Sequence, residues 1–200
     1  VGSQITDLGV FKLLCEKVAE LQKWFTDRDF FIPNLNLGGG LGVDYQNPNE
    51  NPIANFKDYF EIINKNLVVK PGQNVHFEPG RAIVAQCGHL ISRVLYVKIG
   101  QRKKFAILDA GMNDLIRPAL YQAHHAIENL TSQKRKMRYD IVGPVCESSD
   151  KFGTNIMLPQ TQRGDLIAIH TAGAYGQVMG MKYNQRDLAK AYYSDEICQG

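Results

Sequence analysis

The chain has 200 residues, 44% hydrophobic and 22% charged, with a formal net charge of +3; that is the composition of a soluble globular protein with enough residues to bury a core of one or two domains. No apolar run approaches the length that crosses a bilayer and no signal-peptide pattern opens the chain, so a membrane partner is not expected. Cys15, Cys87, Cys146 and Cys198 lie far apart without a C-x-x-C pair, which argues against a metal site or disulfide framework and fits a reducing cytoplasm.

Val1-Gly2-Ser3-Gln4 enters on a small-residue turn without an initiator methionine, as expected of a processed chain or a fragment. Thr6 or Asp7 caps a predicted helix through about residue 25, with Phe11, Leu14, Cys15, Val18, Leu21 and Phe25 at helical spacing. Asn34 to Leu37 alternates as a strand and runs into Gly38-Gly39-Gly40. A second predicted helix places Ile53, Phe56, Tyr59, Phe60 and Ile63 on one face and ends near Asn66, before an extended segment, Asn74 to Phe77. This βα alternation implies a parallel sheet or barrel over residues 1–84.

The pattern then changes. Segments 89–99, 104–109, 139–145 and 165–170 read as strands rich in Val, Ile and Leu, and predict a mainly antiparallel β domain over residues 85–200. Residues 113–130 read as an irregular or partly helical insertion. The basic cluster from Gln133 to Arg138 has no interleaved aromatics and reads as a solvated loop rather than a nucleic-acid surface.

Several segments carry side chains suited to chemistry. Glycines 38, 39 and 40 at a strand end can bring backbone amides onto a phosphate, although a glycine run alone is more often a flexible turn. In Phe77-Glu78-Pro79-Gly80-Arg81, Pro79 holds Glu78 extended, Gly80 allows close backbone approach and Arg81 offers a permanent cationic fork; the plainer reading is a surface turn with a local ion pair. Arg117 and Tyr121 would share one face of a helical turn and could grip a carboxylate, or simply pack. His124 and His125 read as structural residues, and His76, His89 and His170 as strand or packing residues. Tyr175, on the turn Gly173-Ala174-Tyr175-Gly176, can reach a phosphate or a cofactor oxygen, but is also an ordinary turn aromatic. Within Gly143-Pro144-Val145-Cys146-Glu147-Ser148-Ser149-Asp150 a thiol stands beside a carboxylate on a loop, a pairing able to move a proton and to hold an ammonium group.

Taken in order, Val-Gly-Ser-Gln, the triple glycine, Glu-Pro-Gly-Arg, Arg-Pro-Ala-Leu-Tyr, Val-Cys-Glu-Ser-Ser-Asp and Gly-Ala-Tyr-Gly resemble bacterial diaminopimelate decarboxylases, over essentially all 200 residues but only the C-terminal half or so of such enzymes. The resemblance implies the C-terminal part of an alanine-racemase-like (β/α)8 barrel followed by a β domain, and pyridoxal 5'-phosphate as cofactor. It implies decarboxylation of meso-diaminopimelate to L-lysine. A whole barrel needs about 250 residues, so roughly 80 residues of barrel pattern imply a fragment. By resemblance, Ser3, Gly38, Gly39 and Gly40 hold the cofactor phosphate with help from Gly80 and Arg81, and Glu78 pairs with the ring nitrogen. Arg81, Arg117 and Tyr121 bind the unreactive carboxylate, Glu147 takes the distal ammonium, Cys146 is the proton donor, and Tyr175 touches cofactor and substrate. The resemblance also implies a homodimer whose Cys-Glu loop serves the partner's site, and places the lysine that anchors the cofactor in a missing N-terminal portion. Related decarboxylases of ornithine, arginine or a carboxylated polyamine, and non-catalytic relatives of the fold, are the alternatives; an aspartate after the cysteine is usual in the ornithine and arginine enzymes, where this chain has Glu147.

Overall fold

The computed structural model describes residues 1–197, so Cys198 lies outside the described residues. The described part forms two compact units, 1–86 and 87 onward.

In the first unit, α1 (Gly9–Thr26) starts where the Asp7 carboxylate accepts the Gly9 amide at 2.9 Å. It buries Phe11, Cys15 and Gln22. Leu21, expected on that face, is 59% exposed. At about 100° per residue, Leu21 sits some 80° from the direction of Phe11 and Gln22 only about 20°. Gln22 is accommodated because its side-chain amide donates to the Val68 carbonyl at 2.8 Å. Strand β1 (Asn34–Asn36) pairs in parallel with β2 (Asn74–His76), and α2 (Phe56–Asn66) lies between them in sequence. Asn55 caps α2 by accepting the Asp58 amide, which leaves Ile53 outside the helix and exposed, against the sequence expectation. Tyr59 and Ile63 form the buried face of α2, and the Tyr59 ring meets Phe11 edge to face with centroids 4.7 Å apart. This unit is a two-stranded parallel sheet with helices, a piece of βα architecture rather than a closed barrel.

The second unit is a six-stranded sheet. Its strands are β3 (Leu90–Ile99), β4 (Lys104–Leu108), β5 (Ile127–Asn129), β6 (Lys136–Val142), β7 (Lys151–Pro159) and β8 (Leu166–Ile169), in the order β5-β8-β3-β4-β6-β7. All neighbours are antiparallel except β4 and β6, which run parallel. The sheet curls almost closed: a side chain placed on Gly153 of β7 would touch Ile127 of β5, the opposite edge. Val94, Leu108, Leu115, Ile141, Leu158, Ile167 and Ile169 fill the interior.

Two strands lay hidden in the sequence. β5 sits inside the segment expected to be irregular, together with a short helix, α4 (Arg117–Tyr121). In β7, Gly153 and the left-handed Asn155 (φ 57°) interrupt the alternation, and the ladder to β6 shifts register near there. β6 starts at Lys136, so the end of the basic cluster is strand rather than loop, and it ends at Val142, three residues short of expectation. Among the described residues, no helix is long and apolar enough to cross a membrane.

Candidate functional site

The sequence-selected residues fall into two clusters, one in each unit. In the first unit, the chain leaving β1 turns through Gly38 (φ 67°), Gly39 and Gly40 (φ 103°), alongside the chain leaving β2 at Glu78. The Glu78 amide donates to the Gly38 carbonyl at 2.8 Å. A Cβ on Gly39 would overlap the Glu78 carbonyl, so only glycine allows the two strand ends to lie this close. Among the described residues the Gly39 and Gly40 amides donate no hydrogen bond.

Arg81 stands on the short helix α3 (Gly80–Val84) that follows β2. Its guanidinium donates from Nη1 to the buried Tyr45 hydroxyl at 2.6 Å and from Nη2 to Ser3 Oγ at 3.0 Å. That fixes a cation beside a hydroxyl. The Glu78 carboxylate is exposed and accepts from Asn36 Nδ2 at 2.7 Å through Oε1. Gly80 is exposed, and a Cβ there would meet nothing within 4 Å. Two amides that donate to nothing among the described residues, a hydroxyl and a guanidinium make a set complementary to an anion such as phosphate, and Glu78 offers a carboxylate oxygen as an acceptor. Tyr45 and Asn36, which hold Arg81 and Glu78, carried no signal in the sequence beyond their residue types.

In the second unit, Cys146 and Glu147 are exposed on the loop between β6 and β7. Asp150, 3% exposed, organises that loop. Its Oδ2 accepts the Val145 amide at 2.7 Å and its Oδ1 the Met112 amide at 2.7 Å. Gly143 makes room, since any side chain there would overlap the Asp150 carboxylate. Burial pushes the Asp150 carboxyl up, and the Asp114 charge adds to this, against the pull of the two amides and Arg186. Met112 lies in the β4–α4 connection, so Asp150 ties the thiol loop to the segment that leads into Arg117.

Glu147 Oε1 accepts the Tyr183 hydroxyl at 2.7 Å; Tyr183 was not foreseen. Arg117 is buried and Tyr121 exposed, although they stand one turn apart on α4 as the spacing predicts. His125, read from the sequence as merely structural, is 1% exposed, and its Nε2 meets Arg117 Nη1 at 2.9 Å. His170, read as a packing residue, pairs through Nε2 with Glu128 at 3.1 Å. Tyr175 occupies a left-handed turn position (φ 59°) and is 43% exposed. The following Gly176 has no space for a side chain against the Ala172 carbonyl.

The first unit thus gathers hydrogen-bond donors and a guanidinium at paired strand ends, and the second carries a thiol and a carboxylate on one loop. The chain belongs to the pyridoxal-dependent decarboxylases: the family model for their C-terminal sheet domain matches residues 9–173. It is 56% identical over 197 residues to the diaminopimelate decarboxylase of Bacteroides thetaiotaomicron, covering 98% of this chain and 51% of that protein. It is 40% identical over 190 residues to the diaminopimelate decarboxylase of Aquifex aeolicus, covering 94% of this chain and 44% of that protein. Among solved structures, Helicobacter pylori diaminopimelate decarboxylase complexed with L-lysine superposes with a TM-score of 0.84 at 42% identity, covering 94% of this chain and 46% of that one. The chain thus spans about half the length of the curated relatives it matches.

Proposed function

We propose that this chain is the C-terminal half of a pyridoxal phosphate-dependent decarboxylase that converts meso-diaminopimelate to L-lysine in the cytoplasm. The observation that carries the reading is the 56% identity to a diaminopimelate decarboxylase across 98% of the chain. In this reading residues 1–84 supply the last βα units of the barrel and residues 85–200 the β domain.

The donor set of the first cluster fits the cofactor. The amides of Gly39 and Gly40, with Ser3 and Arg81, hold the phosphate, and Gly38 and Gly80 let the backbone come close to it. Glu78, positioned by Asn36, takes the proton-bearing ring nitrogen. The bound cofactor supplies the electron sink that accepts the pair left on carbon when carbon dioxide departs. Arg81, Arg117 and Tyr121 bind the carboxylate that stays. A guanidinium fork suits a carboxylate because two parallel N–H donors match its two oxygens. Glu147 takes the distal ammonium, which selects a substrate with an amine at both ends. Cys146 delivers a proton to the substrate carbon after carbon dioxide has left, an exposed thiol being free to reach it. Tyr175, held outward on its strained turn, lines the cofactor and substrate. The active unit is a homodimer in which the Cys146 loop of one chain serves the cofactor of the other, and the lysine that anchors the cofactor belongs to an N-terminal portion of the same enzyme.

The test is the full-length polypeptide carrying this chain. It releases carbon dioxide from meso-diaminopimelate and yields lysine; turnover of ornithine with none of diaminopimelate overturns the reading. Mixing a Cys146→Ala chain with a chain lacking the anchoring lysine restores part of the activity if sites are shared. No recovery in verified mixed dimers refutes the shared site.

A further inference from the structure

We propose that His125 is a positioning residue for substrate recognition. As a neutral imidazole locked in one tautomer, it aims Arg117 at the substrate carboxylate without cancelling the arginine's charge. The proposal rests on the assignment of Arg117 to that carboxylate.

The geometry fixes the proton. His125 Nδ1 lies 2.8 Å from the His170 backbone carbonyl and Nε2 lies 2.9 Å from Arg117 Nη1. A carbonyl oxygen only accepts and a guanidinium only donates. Nδ1 therefore carries the hydrogen and Nε2 presents a lone pair. An imidazolium would set an N–H against the guanidinium N–H groups and two positive charges side by side, with both residues buried.

The backbone makes the contact possible. α4 ends at Gln122, in the left-handed region (φ 53°), and the Gln122 amide closes onto the Arg117 carbonyl. The chain reverses there and brings His125 back to the side chain eight positions earlier. The next residue is tied down as well, because the His170 amide donates to the Ala126 carbonyl at 2.9 Å. His125 is thereby anchored to the end of β8, an interior strand of the sheet paired on both sides, with β5 and β3.

The choice of histidine has a chemical consequence. An aspartate at this place would also hold the guanidinium, but its charge would compete with an incoming carboxylate. A neutral acceptor holds the guanidinium through an N–H without adding a negative charge beside it.

The experiment uses the full-length enzyme. Nitrogen-15 NMR of its histidines at neutral pH, assigned by the loss of one signal in His125→Gln, shows His125 as the Nδ1–H tautomer. An Nε2–H tautomer or an imidazolium overturns the proposal. His125→Leu raises KM for meso-diaminopimelate roughly tenfold or more while lowering kcat much less, the loss expected for a hydrogen bond to a charged group. His125→Gln, whose side-chain oxygen can reach the position of Nε2, restores KM to within roughly threefold of the parent, where a purely space-filling role would favour Leu. If His125→Leu leaves KM unchanged while Arg117→Ala raises it, the positioning role falls and the arginine assignment stands. If Arg117→Ala also leaves KM unchanged, both fall. Should His125→Leu not fold, the tautomer in the parent enzyme decides.

Discussion

Tyr183 donates its hydroxyl hydrogen to Glu147 Oε1 across 2.7 Å, and this bond joins the 3-10 turn Tyr183–Gln185 to the loop that carries Cys146. In the proposed reading the other oxygen, Oε2, takes the ammonium group. The bond should be visible in titration. The carboxylate holds the phenolic proton, and the hydrogen bond to Glu147 is the main cause that raises Tyr183 above its ordinary value near 10. Removing the acceptor and its charge lowers it again: in Glu147→Ala, Tyr183 ionises at lower pH than in the parent. The Tyr183 contribution is the difference in phenolate absorbance between each protein and its Tyr183→Phe counterpart. An unchanged midpoint means the bond is not formed in solution. If Glu147 takes the distal ammonium as proposed, Tyr183→Phe also raises KM for meso-diaminopimelate by about threefold to tenfold, the cost of one hydrogen bond to a charged group at an exposed site.

The glycines of the first cluster separate a folding role from a binding role. Gly39 packs against the Glu78 carbonyl and has no room for a Cβ, whereas a Cβ on Gly80 meets nothing within 4 Å. Gly39→Ala should therefore destabilise the protein by about 1–3 kcal/mol, because backbone must move. Gly80→Ala, at the first position of α3, should leave stability unchanged or raise it by up to about 1 kcal/mol. If Gly80 is where the cofactor phosphate meets the backbone, Gly80→Ala nevertheless weakens pyridoxal phosphate binding. Thermal unfolding read beside cofactor absorbance distinguishes the cases. Unchanged cofactor affinity in a stable Gly80→Ala protein removes Gly80 from the site.

Much of this was legible in the sequence because local signals sufficed. The spacing of Phe11 and Cys15, the alternation of Asn34 to Leu37 and the glycine run each depend on neighbours within a turn or two. The side chains that hold the functional groups were not legible for the opposite reason. Tyr45 reaches Arg81 over 36 positions and Tyr183 reaches Glu147 over the same separation, so nothing near either residue in sequence announces the contact. The contact of His125 with Arg117 depends on a left-handed Gln122 that turns the chain back, which residue type alone does not announce. β7 escaped notice because a register shift removed the two-residue period that marks a strand.

Asp150 is the buried group on which the thiol loop depends. Its two oxygens accept the Val145 and Met112 amides, and the missing side chain of Gly143 gives it space. Asp150→Ala would leave both amides without their acceptor and should cost about 2–4 kcal/mol, one to two unsatisfied donors' worth. If Cys146 and Glu147 act as proposed, it also slows turnover of the full-length enzyme, since their loop loses this tie. Asp150→Asn keeps one carbonyl oxygen and resembles the protonated acid, so its cost should be smaller. The pH dependence gives a second check. Because burial raises the folded carboxyl above its ordinary 3.8, the native state holds this proton more tightly than the unfolded chain. The stabilisation is complete below about pH 3.8 and is lost as pH rises through the raised folded value. A neutral asparagine cannot contribute that slope. Chemical unfolding of the parent and of Asp150→Asn between pH 3.5 and neutrality should therefore show the parent losing stability relative to the variant as pH rises. Parallel stability curves would mean that Asp150 titrates at its ordinary value, and the desolvated carboxylate seen beneath the Cys146 loop would not describe the protein in solution.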